Sequence, residues 1–394
     1  MNATLTQLWK TRSLADCGQF FSGGTPNRSI AEYWGGSIPW ISAKSLKTFR
    51  VSDSEERVTE SGAENGTRMV PPGTLLFVVR GMSLAKEFRV AVTTGPVTFN
   101  QDLRALVPSS DVDPVYLTHF LRASEEKILG LVDHASHGTT RLTSDRMDAF
   151  EIPIPPIAEQ RRIAEVLDRA EALRTKRRAT LAQLDTLTQS IFLDLFGAGS
   201  KWPIVGVGEA CVLVVDCVNR TAPTVEEPTP FRMIRTTNVR DGVVDLRGVR
   251  YVSRSTFETW NRRATPRPGD VLLTREAPVG EAGILREDGV FLGQRLMLYR
   301  PDPTKLTSEY LLSAFRGPLL QQQFAKLGSG TTVKHLPLPA CRGFEVPLPP
   351  LKLQQTFAQQ IAAVEKLKSA QRASLAELDA LFATLQHRAF RGEL

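Results

Sequence analysis

Side chains that could bind a metal or attack a substrate are present in this sequence, but they are spread along it. The four cysteines and five histidines lack the close pairing that tetrahedral zinc sites use. Cys211 and Cys217 are five residues apart, and no Cys-x-x-Cys occurs. The chain has no Gly-x-Ser-x-Gly turn and no Gly-x-x-x-x-Gly-Lys-Ser/Thr loop. The sequence therefore predicts no metal site and no catalytic nucleophile.

Nuclease chemistry is the enzymatic alternative that the sequence leaves open. Glu125-Glu126-Lys127 fits the Glu-x-Lys pattern with which many nucleases hold Mg²⁺, and Asp111 and Asp113 precede it. The segment is predicted to be helical, and three-residue patterns occur often by chance. The Asp/Asn-Pro-Pro-aromatic tetrapeptide of adenine methyltransferases is absent. A stand-alone nuclease that uses Glu125 and Lys127 stays an alternative.

A second group of side chains is typical of DNA-contacting surfaces. Arg80 and Arg275 each begin a loop after a predicted strand, and Gln101 and Gln294 form a second equivalent pair. Arginine can bond guanine with two hydrogen bonds and glutamine can do the same with adenine, whereas threonine hydroxyls suit phosphate. The candidate DNA-contacting residues are Arg80, Ser83, Lys86, Gln101, Arg104, Thr139, Thr140, Arg141, Arg275, Gln294, Arg295, Thr331, Thr332 and Lys334.

These candidates recur because the chain repeats itself. Residues 150–157 and 344–351 match position for position at an offset of 194, and so do residues 181–185 and 375–379. Further matches keep the same order along both halves with only small changes in spacing. The sequence therefore predicts a tandem duplication.

The elements that position the candidates follow from the hydrophobic pattern of each half. Short apolar and β-branched runs at residues 75–79, 90–92 and 271–273 predict strands, and helices are predicted near residues 116–121 and 310–315. Each half thus begins with about 150 residues of mixed α/β structure.

Each half ends in a predicted long helix. After Pro155-Pro156 and Pro349-Pro350, no proline or glycine occurs until Gly197 and Gly392, which allows roughly 60 Å of helix. Leucine, isoleucine and valine recur at helical spacing and must be buried against a partner helix. We predict an α+β fold in which two tandem-duplicated mixed α/β domains are separated by two long helices forming an antiparallel coiled coil. The polar middles of the helices, residues 174–178 and 368–374, are expected to be solvated.

Length and composition limit the class of protein. A chain of 394 residues predicts two or three domains, and no apolar run is long enough to span a bilayer. The net charge is +7 and the isoelectric point about 9.3. Residues 1–197 carry equal numbers of basic and acidic side chains, so the excess lies in the second half. A basic cytoplasmic protein that binds nucleic acid is consistent with these values.

The sequence resembles the specificity subunits of Type I restriction–modification systems over essentially its whole length. The resemblance rests on Ser22-Gly23-Gly24-Thr25-Pro26, on residues 33–41, and on residues 152–160, which open the first long helix with a Pro-Pro-x-x-Glu-Gln box. The ending, residues 390–394, also fits. The family has two target-recognition domains, which here correspond to residues 1–154 and 198–348, joined by helices at residues 155–197 and 349–394.

The resemblance implies a subunit with no catalytic site of its own. Each domain would contact one half of a bipartite double-stranded DNA site, and the helices would set the spacing. Two adenine-N6 methyltransferase subunits would dock on the chain, and a translocating endonuclease subunit could join. The chain itself would bind no cofactor, since S-adenosylmethionine and Mg-ATP belong to those partners. The candidate partner-binding residues are Pro155, Pro156, Glu159, Gln160, Pro349, Pro350 and Gln354.

Two departures from the family pattern concern the second half. Leu353 stands where the first box has Glu159, and the Ser-Gly-Gly-Thr-Pro run has no counterpart near residues 216–221. The two domains are therefore expected to contact different half-sites. A coiled-coil scaffold that binds no DNA is the second alternative.

Overall fold

The computed structural model of the protein describes residues 9–134, 140–197, 202–328 and 335–394. The chain divides into two compact units. Unit 1 comprises Met1–Arg178 and Ser374–Leu394, and unit 2 comprises Ala179–Ala373. Each unit therefore contains one mixed domain together with part of both long helices.

The domain of unit 1 alternates short strands with short helices and precedes the first long helix. In chain order its elements are β1 Lys10–Ser13, β2 Gly18–Ser22, β3 Trp34–Ile41, β4 Arg50–Val51, β5 Arg57–Val58, α1 Glu60–Gly66, β6 Met69–Val70, β7 Leu75–Val78, β8 Val90–Thr93, β9 Val97–Phe99, β10 Leu103–Pro108, α2 Pro114–Ala123, α3 Glu125–Leu129, β11 Val132–His134, β12 Thr140–Leu142, α4 Ser144–Asp148 and β13 Glu151–Ile154, followed by α5 Ile157–Phe196. The strands predicted at residues 75–79 and 90–92 and the helix predicted near residues 116–121 are confirmed.

A five-stranded sheet, in the order β2-β10-β7-β8-β4, forms the centre of this domain. Side chains alternate across it, so Leu75 and Phe77 pack with Leu117 of α2 while Leu76 and Val78 face a second cluster. A four-stranded sheet, β5-β3-β9-β6, lies beyond that second cluster. Strands β1 and β13 pair antiparallel, which brings the two ends of the domain together at the start of α5.

The domain of unit 2 has a similar element order. Its elements are β14 Ile204–Gly206, α6 Val207–Ala210, β15 Cys211–Asp216, β16 Arg232–Ile234, β17 Val239–Arg240, β18 Gly242–Val244, β19 Arg250–Tyr251, α7 Arg254–Trp260, β20 Val271–Thr274, β21 Ala282–Ile284, β22 Val290–Leu292, β23 Leu296–Pro301, α8 Ser308–Arg316, α9 Pro318–Leu327, α10 Leu338–Arg342 and β24 Glu345–Pro347, followed by α11 Leu351–Ala389. The central sheet has the order β15-β23-β20-β21-β18-β17, and β14 pairs with β24. The expected duplication of a mixed domain is therefore confirmed.

The long helices contact each other in antiparallel order within each unit. In unit 1, Arg174 of α5 donates to Asp379 of α11 at 2.6 Å, and Ile163 shares a buried cluster with Ala389. In unit 2, Lys368 of α11 lies 2.9 Å from the carboxylate of Asp185. In both units, therefore, later residues of α5 meet earlier residues of α11. None of the helices in the described part of the chain combines the length and apolarity needed to cross a membrane.

The polar middles of these helices are not simply solvated, contrary to expectation. Lys368 is 4% exposed and forms ion pairs with Asp185 and Glu365. Arg174 pairs with Asp379 and stacks 4.3 Å from the ring centroid of Phe382. These charged side chains form ion pairs where the two helices pack together. The spacing of residues along a single helix could not predict the pairs with Asp379 and Asp185, because these partners lie on the other helix.

A buried histidine joins the domain of unit 1 to α5. The Nε2 atom of His119, on α2, lies 3.0 Å from Asp168 of α5, and Arg50 donates to the other oxygen of that carboxylate at 2.5 Å. The ring of Phe49 lies 4.3 Å from the imidazole. Burial lowers the pKa of His119 below its ordinary value. At neutral pH the imidazole is therefore neutral and donates a hydrogen bond from Nε2–H to Asp168.

Candidate nucleic-acid interface

Two exposed arginines lie side by side after β7. Arg80 forms an isolated antiparallel bridge with Arg141, and both side chains are exposed. Neither makes an ion pair within the described part of the chain. Thr140 is buried, and its hydroxyl donates to the carbonyl of Gly81 at 2.5 Å. That hydroxyl is not available to phosphate, contrary to the prediction, and Thr139 lies outside the described residues.

The turn that follows carries the next candidates. Residues Met82–Ala85 form a 3₁₀ helix in which Ser83 is half-buried, and Lys86 after it is exposed. The side chain of Met82 is 81% exposed, and the candidate set omitted it. The sequence feature that could have pointed to Met82 is weak, since it consists of an apolar residue in a predicted loop. An exposed methionine can contact bases, while cationic groups beside it contact the phosphates.

Gln101 lies in the turn before β10 and Arg104 lies in that strand, and the two side chains differ in how free they are to contact DNA. The exposed Gln101 accepts a hydrogen bond from the hydroxyl of Thr25, which is also exposed. Arg104 makes two hydrogen bonds to Asp148, at 2.5 and 3.1 Å. Its guanidinium also stacks 3.8 Å from the centre of Phe20. Arg104 is therefore occupied within its own domain, contrary to its prediction as a DNA-contacting residue.

In unit 2, Arg275 is held more tightly than its counterpart Arg80. Its Nε atom donates to the carbonyl of Leu336 at 2.8 Å, and the backbone of Leu336 donates back to Arg275 at 3.0 Å. The side chain is half-buried. Arg275 therefore ties its loop to the backbone of Leu336, at the position where Arg80 of unit 1 pairs with Arg141 of β12. Less of the Arg275 side chain than of the Arg80 side chain is exposed to solvent.

Gln294 and Arg295 lie in the turn just before β23 and are both exposed. The hydroxyl of Thr221 lies 3.4 Å from Oε1 of Gln294. Arg295 pairs with Glu276 at 3.0 Å and has a positive φ of 70°. The remaining predicted residues of unit 2, Thr331, Thr332 and Lys334, lie outside the described residues.

Gln160 is completely buried, so it cannot contact a partner as predicted. Its exposed fraction is 0%, and its Oε1 atom accepts from the backbone of Asp113 at 2.8 Å. Its Nε2 atom donates to the carbonyls of Asp111 and Pro155, at 2.9 and 2.8 Å. Asp113 caps α2, so this amide ties the beginning of α2 to the first turn of α5.

Gln354 repeats this arrangement in unit 2. It is also 0% exposed, accepts from the backbone of Thr307 at 2.9 Å, and donates to the carbonyls of Lys305 and Pro349. Thr307 caps α8. The glutamine of each box is therefore a structural clamp between domain and helix, and the prediction that Gln354 contacts a partner is wrong for the same reason.

The other residues of the two boxes divide by exposure. Pro155 and Pro349 are buried, so they too cannot contact a partner, whereas Pro156 and Pro350 are exposed. Glu159 is half-buried and makes two hydrogen bonds to Arg162, which lower its pKa. Leu353, at the corresponding position of the second box, packs on the core of unit 2.

The described residues contain no arrangement typical of an enzyme active site. They include no group of three or more histidine, cysteine, aspartate or glutamate residues that could hold a metal ion. Glu125, the nuclease alternative, accepts a hydrogen bond from the backbone of Phe88 at 2.8 Å. Burial raises the pKa of the Cys17 and Cys341 thiols to about 11, so neither is an active nucleophile at neutral pH.

Comparison with known proteins agrees with this picture. Residues 7–184 and 226–379 match the family described as Type I restriction modification DNA specificity domain. The chain is 34% identical over 167 residues to the Type I restriction enzyme EcoR124I/EcoR124II specificity subunit of Escherichia coli, covering 42% of this chain and 41% of that one. It is 30% identical over 194 residues to the MjaIX specificity subunit of Methanocaldococcus jannaschii, covering 48% and 44%. The alignments thus span less than half of these two relatives.

Solved structures show the same fold. The S subunit of a Type I restriction–modification system from M. genitalium matches with a TM-score of 0.58 at 14% identity, covering 97% of this chain and 96% of that one. A structure from a study of complex assembly and conformational transition of the type I R-M system matches with a TM-score of 0.55 at 18% identity, covering 98% of each chain. Because the two matched segments cover well over half of its length, this chain belongs to the family of Type I restriction–modification DNA specificity domains.

Proposed function

We propose that this chain is the DNA sequence-recognition subunit of a Type I restriction–modification complex and has no catalytic site of its own. Each domain contacts one half of a bipartite double-stranded site. The observation that carries the proposal is the exposed glutamine that each domain places just before an inner strand of its main sheet, β10 or β23, in contact with a threonine hydroxyl. Specificity subunits, the relatives of this chain, are the non-catalytic members of their complexes.

The paired arginines of unit 1 support contact with a polyanion. Arg80 and Arg141 are bridged in antiparallel register, and like charges directly opposite each other destabilise a strand pair. The phosphates of DNA would relieve that repulsion, and arginine is a frequent phosphate and guanine ligand.

The helix contacts support a role in spacing. We assign α5 and α11, with 40 and 39 residues, to an antiparallel coiled coil. Each helix is roughly 60 Å long at 1.5 Å per residue. Half-sites one turn of B-DNA apart are separated by roughly 34–36 Å, which helices of this length can span.

The partners follow from the family. Two adenine-N6 methyltransferase subunits dock on the helices, and the exposed Pro156 and Pro350 together with the half-buried Glu159 are the residues of the boxes that can contact them. A translocating endonuclease subunit completes the restricting complex. S-adenosylmethionine and Mg-ATP bind to these partners and not to this chain.

A map of methylated adenines in genomic DNA tests the proposal. The map is compared between cells that express the chain with its methyltransferase subunits and cells that express the methyltransferase subunits alone. A bipartite methylated sequence that requires the chain is the expected result. Methylation that is the same in both cells would refute the recognition role.

A further inference from the structure

The exposed hydrogen bond between Thr25 and Gln101 in unit 1 involves a loop that packs directly against neighbouring backbone. Gly23 and Gly24 precede Thr25, and a Cβ atom at either glycine would lie 2.3 Å from a backbone oxygen, of Asn100 or Gly66 respectively. Only glycine permits this packing. The backbone of Gly24 also donates to the carbonyl of Phe99 at 3.0 Å. The loop is thereby fixed beside β10, where its threonine reaches Gln101.

Unit 2 holds its contact in the same way with different residues. In unit 1 the indole of Trp40 donates to the carbonyl of Gly24, the residue before the threonine, at 3.0 Å. In unit 2 the indole of Trp260 donates to the carbonyl of Arg220, again the residue before the threonine, at 3.4 Å. Trp40 lies in β3 and Trp260 in α7. The loop sequences and the elements that carry the tryptophans differ, yet the threonine is anchored at the same place.

Thr221 therefore fills the position of Thr25, although residues 216–221 lack the Ser-Gly-Gly-Thr-Pro pattern. Its hydroxyl lies against Oε1 of Gln294, as that of Thr25 does against Oε1 of Gln101. The apparent departure of the second half is thus restricted to the residues that shape the loop.

The contact has a chemical consequence for base recognition. A free glutamine amide can turn either its oxygen or its nitrogen toward a base. In both contacts the threonine hydroxyl lies against Oε1 and donates to it, which holds the amide in one place with Nε2 turned away from the threonine. One lone pair of Oε1 and both hydrogens of Nε2 stay available, which is the pattern that adenine matches through N6 and N7 in the major groove.

We propose that the Thr25–Gln101 pair and the Thr221–Gln294 pair have the same role in base recognition. Each specifies an A·T pair, at the same position of its half-site. This inference rests on the proposed function. The position is counted from the methylated adenine and is not that adenine itself, since a base flipped out for methylation leaves the groove. The next residue differs in charge, Asp102 in one domain and Arg295 in the other, so we expect the flanking base pairs to differ between half-sites.

The test is the methylation map of the full chain expressed with its methyltransferase subunits. In the Gln101→Leu variant, discrimination at one base pair of one half-site should fall roughly 5- to 150-fold. Gln294→Leu should do the same at the equivalent position of the other half-site only. The half-site that stays unchanged in each variant shows that the protein is folded and assembled.

Paired threonine variants test the positioning role. Thr25→Val removes the hydroxyl and should relax the same base pair as Gln101→Leu, whereas Thr25→Ser keeps the hydroxyl and should retain the adenine. A wild-type bipartite motif that no variant relaxes would overturn the inference and leave the proposed function intact. Relaxation at non-equivalent positions, or loss of methylation at every site, would also overturn it. Absence of a bipartite motif in the wild type would instead refute the proposed function.

Discussion

Replacing the buried glutamine of the first box should loosen unit 1 and leave unit 2 unchanged. Gln160→Leu keeps the approximate size of the side chain and removes three hydrogen bonds to backbone groups. The net value of each bond is about 0.5–1.5 kcal/mol, and a buried group left without a partner costs about 1–3 kcal/mol. Only the bond to Pro155 is fully buried, and water can reach the other two backbone groups. We therefore expect a loss of about 3 kcal/mol.

Hydrogen exchange followed by mass spectrometry measures this loss in each unit separately. A loss of about 3 kcal/mol accelerates exchange of the most protected amides roughly 150-fold. The acceleration should be found in peptides of α2, which Asp113 caps, and in the first turns of α5. Gln354→Leu is the mirror variant and should accelerate exchange in α8 instead.

The adjacent Glu159→Gln is the matched control, because Glu159 is only half-buried and its ion-pair partner among the described residues is Arg162. Its effect should stay within about 0.5 kcal/mol. A Gln160→Leu variant whose protection in unit 1 falls by less than 0.5 kcal/mol would refute the clamp interpretation.

Three further predictions concern spacing, pH and salt. Deleting residues 184–190 of α5 together with residues 363–369 of α11 removes two helical turns from each helix, about 10.5 Å, and should shorten the gap between half-sites by about 3 base pairs without changing either half-site. The stability of unit 1 should decline as the pH falls from 7 to 5, because the unfolded chain protonates His119 below its ordinary pKa near 6.5 while burial keeps the folded imidazole neutral; His119→Gln should flatten that decline in denaturant titrations. Arg80→Ala and Arg141→Ala should each lower the slope of log affinity against log salt concentration by about 0.9 in a retardation assay.

Each of these has a result that contradicts it. Unchanged half-site spacing in the deletion variant would exclude the helices as the spacing element. An identical pH profile for His119→Gln would mean that other groups govern the acid limb. Arg169→Ala, an exposed arginine of α5, is the control for the salt slope, and an equal change there would argue against a specific role for the arginine pair.

The repeat and the long helices follow directly from sequence because their signals are local. Prolines at 155–156 and 349–350 and the proline- and glycine-free runs after them predict α5 and α11, which begin at Ile157 and Leu351. Apolar runs likewise predict β7, β8 and β20. These patterns depend on neighbours within a few residues, which the sequence displays.

The site was harder to predict because its contacts join distant positions. Gln160 bonds residues 47 and 49 positions earlier in the chain, and nothing in the box itself distinguishes a buried amide from an exposed one. The hydrogen bond from Arg104 to Asp148 spans 44 positions, so no local pattern shows that Arg104 has a partner within its own domain. The loop of Thr221 has no Ser-Gly-Gly-Thr-Pro pattern and is held by Trp260, which lies 40 positions away from Arg220 in the sequence.

The division of the chain into units sets the order in which they can be completed during synthesis. Ala179–Ala373 is one continuous segment, whereas the unit that holds the first domain also needs Ser374–Leu394. In that last segment, the ring of Phe390 packs 5.7 Å from Tyr116 and 5.1 Å from Phe120. The domain that is synthesised before the other is therefore completed after it, and its apolar surface around Tyr116 stays uncovered until Ser374–Leu394 has been made. Premature termination anywhere upstream of residue 374 would leave that surface exposed, and so mark the truncated product for chaperones and proteases.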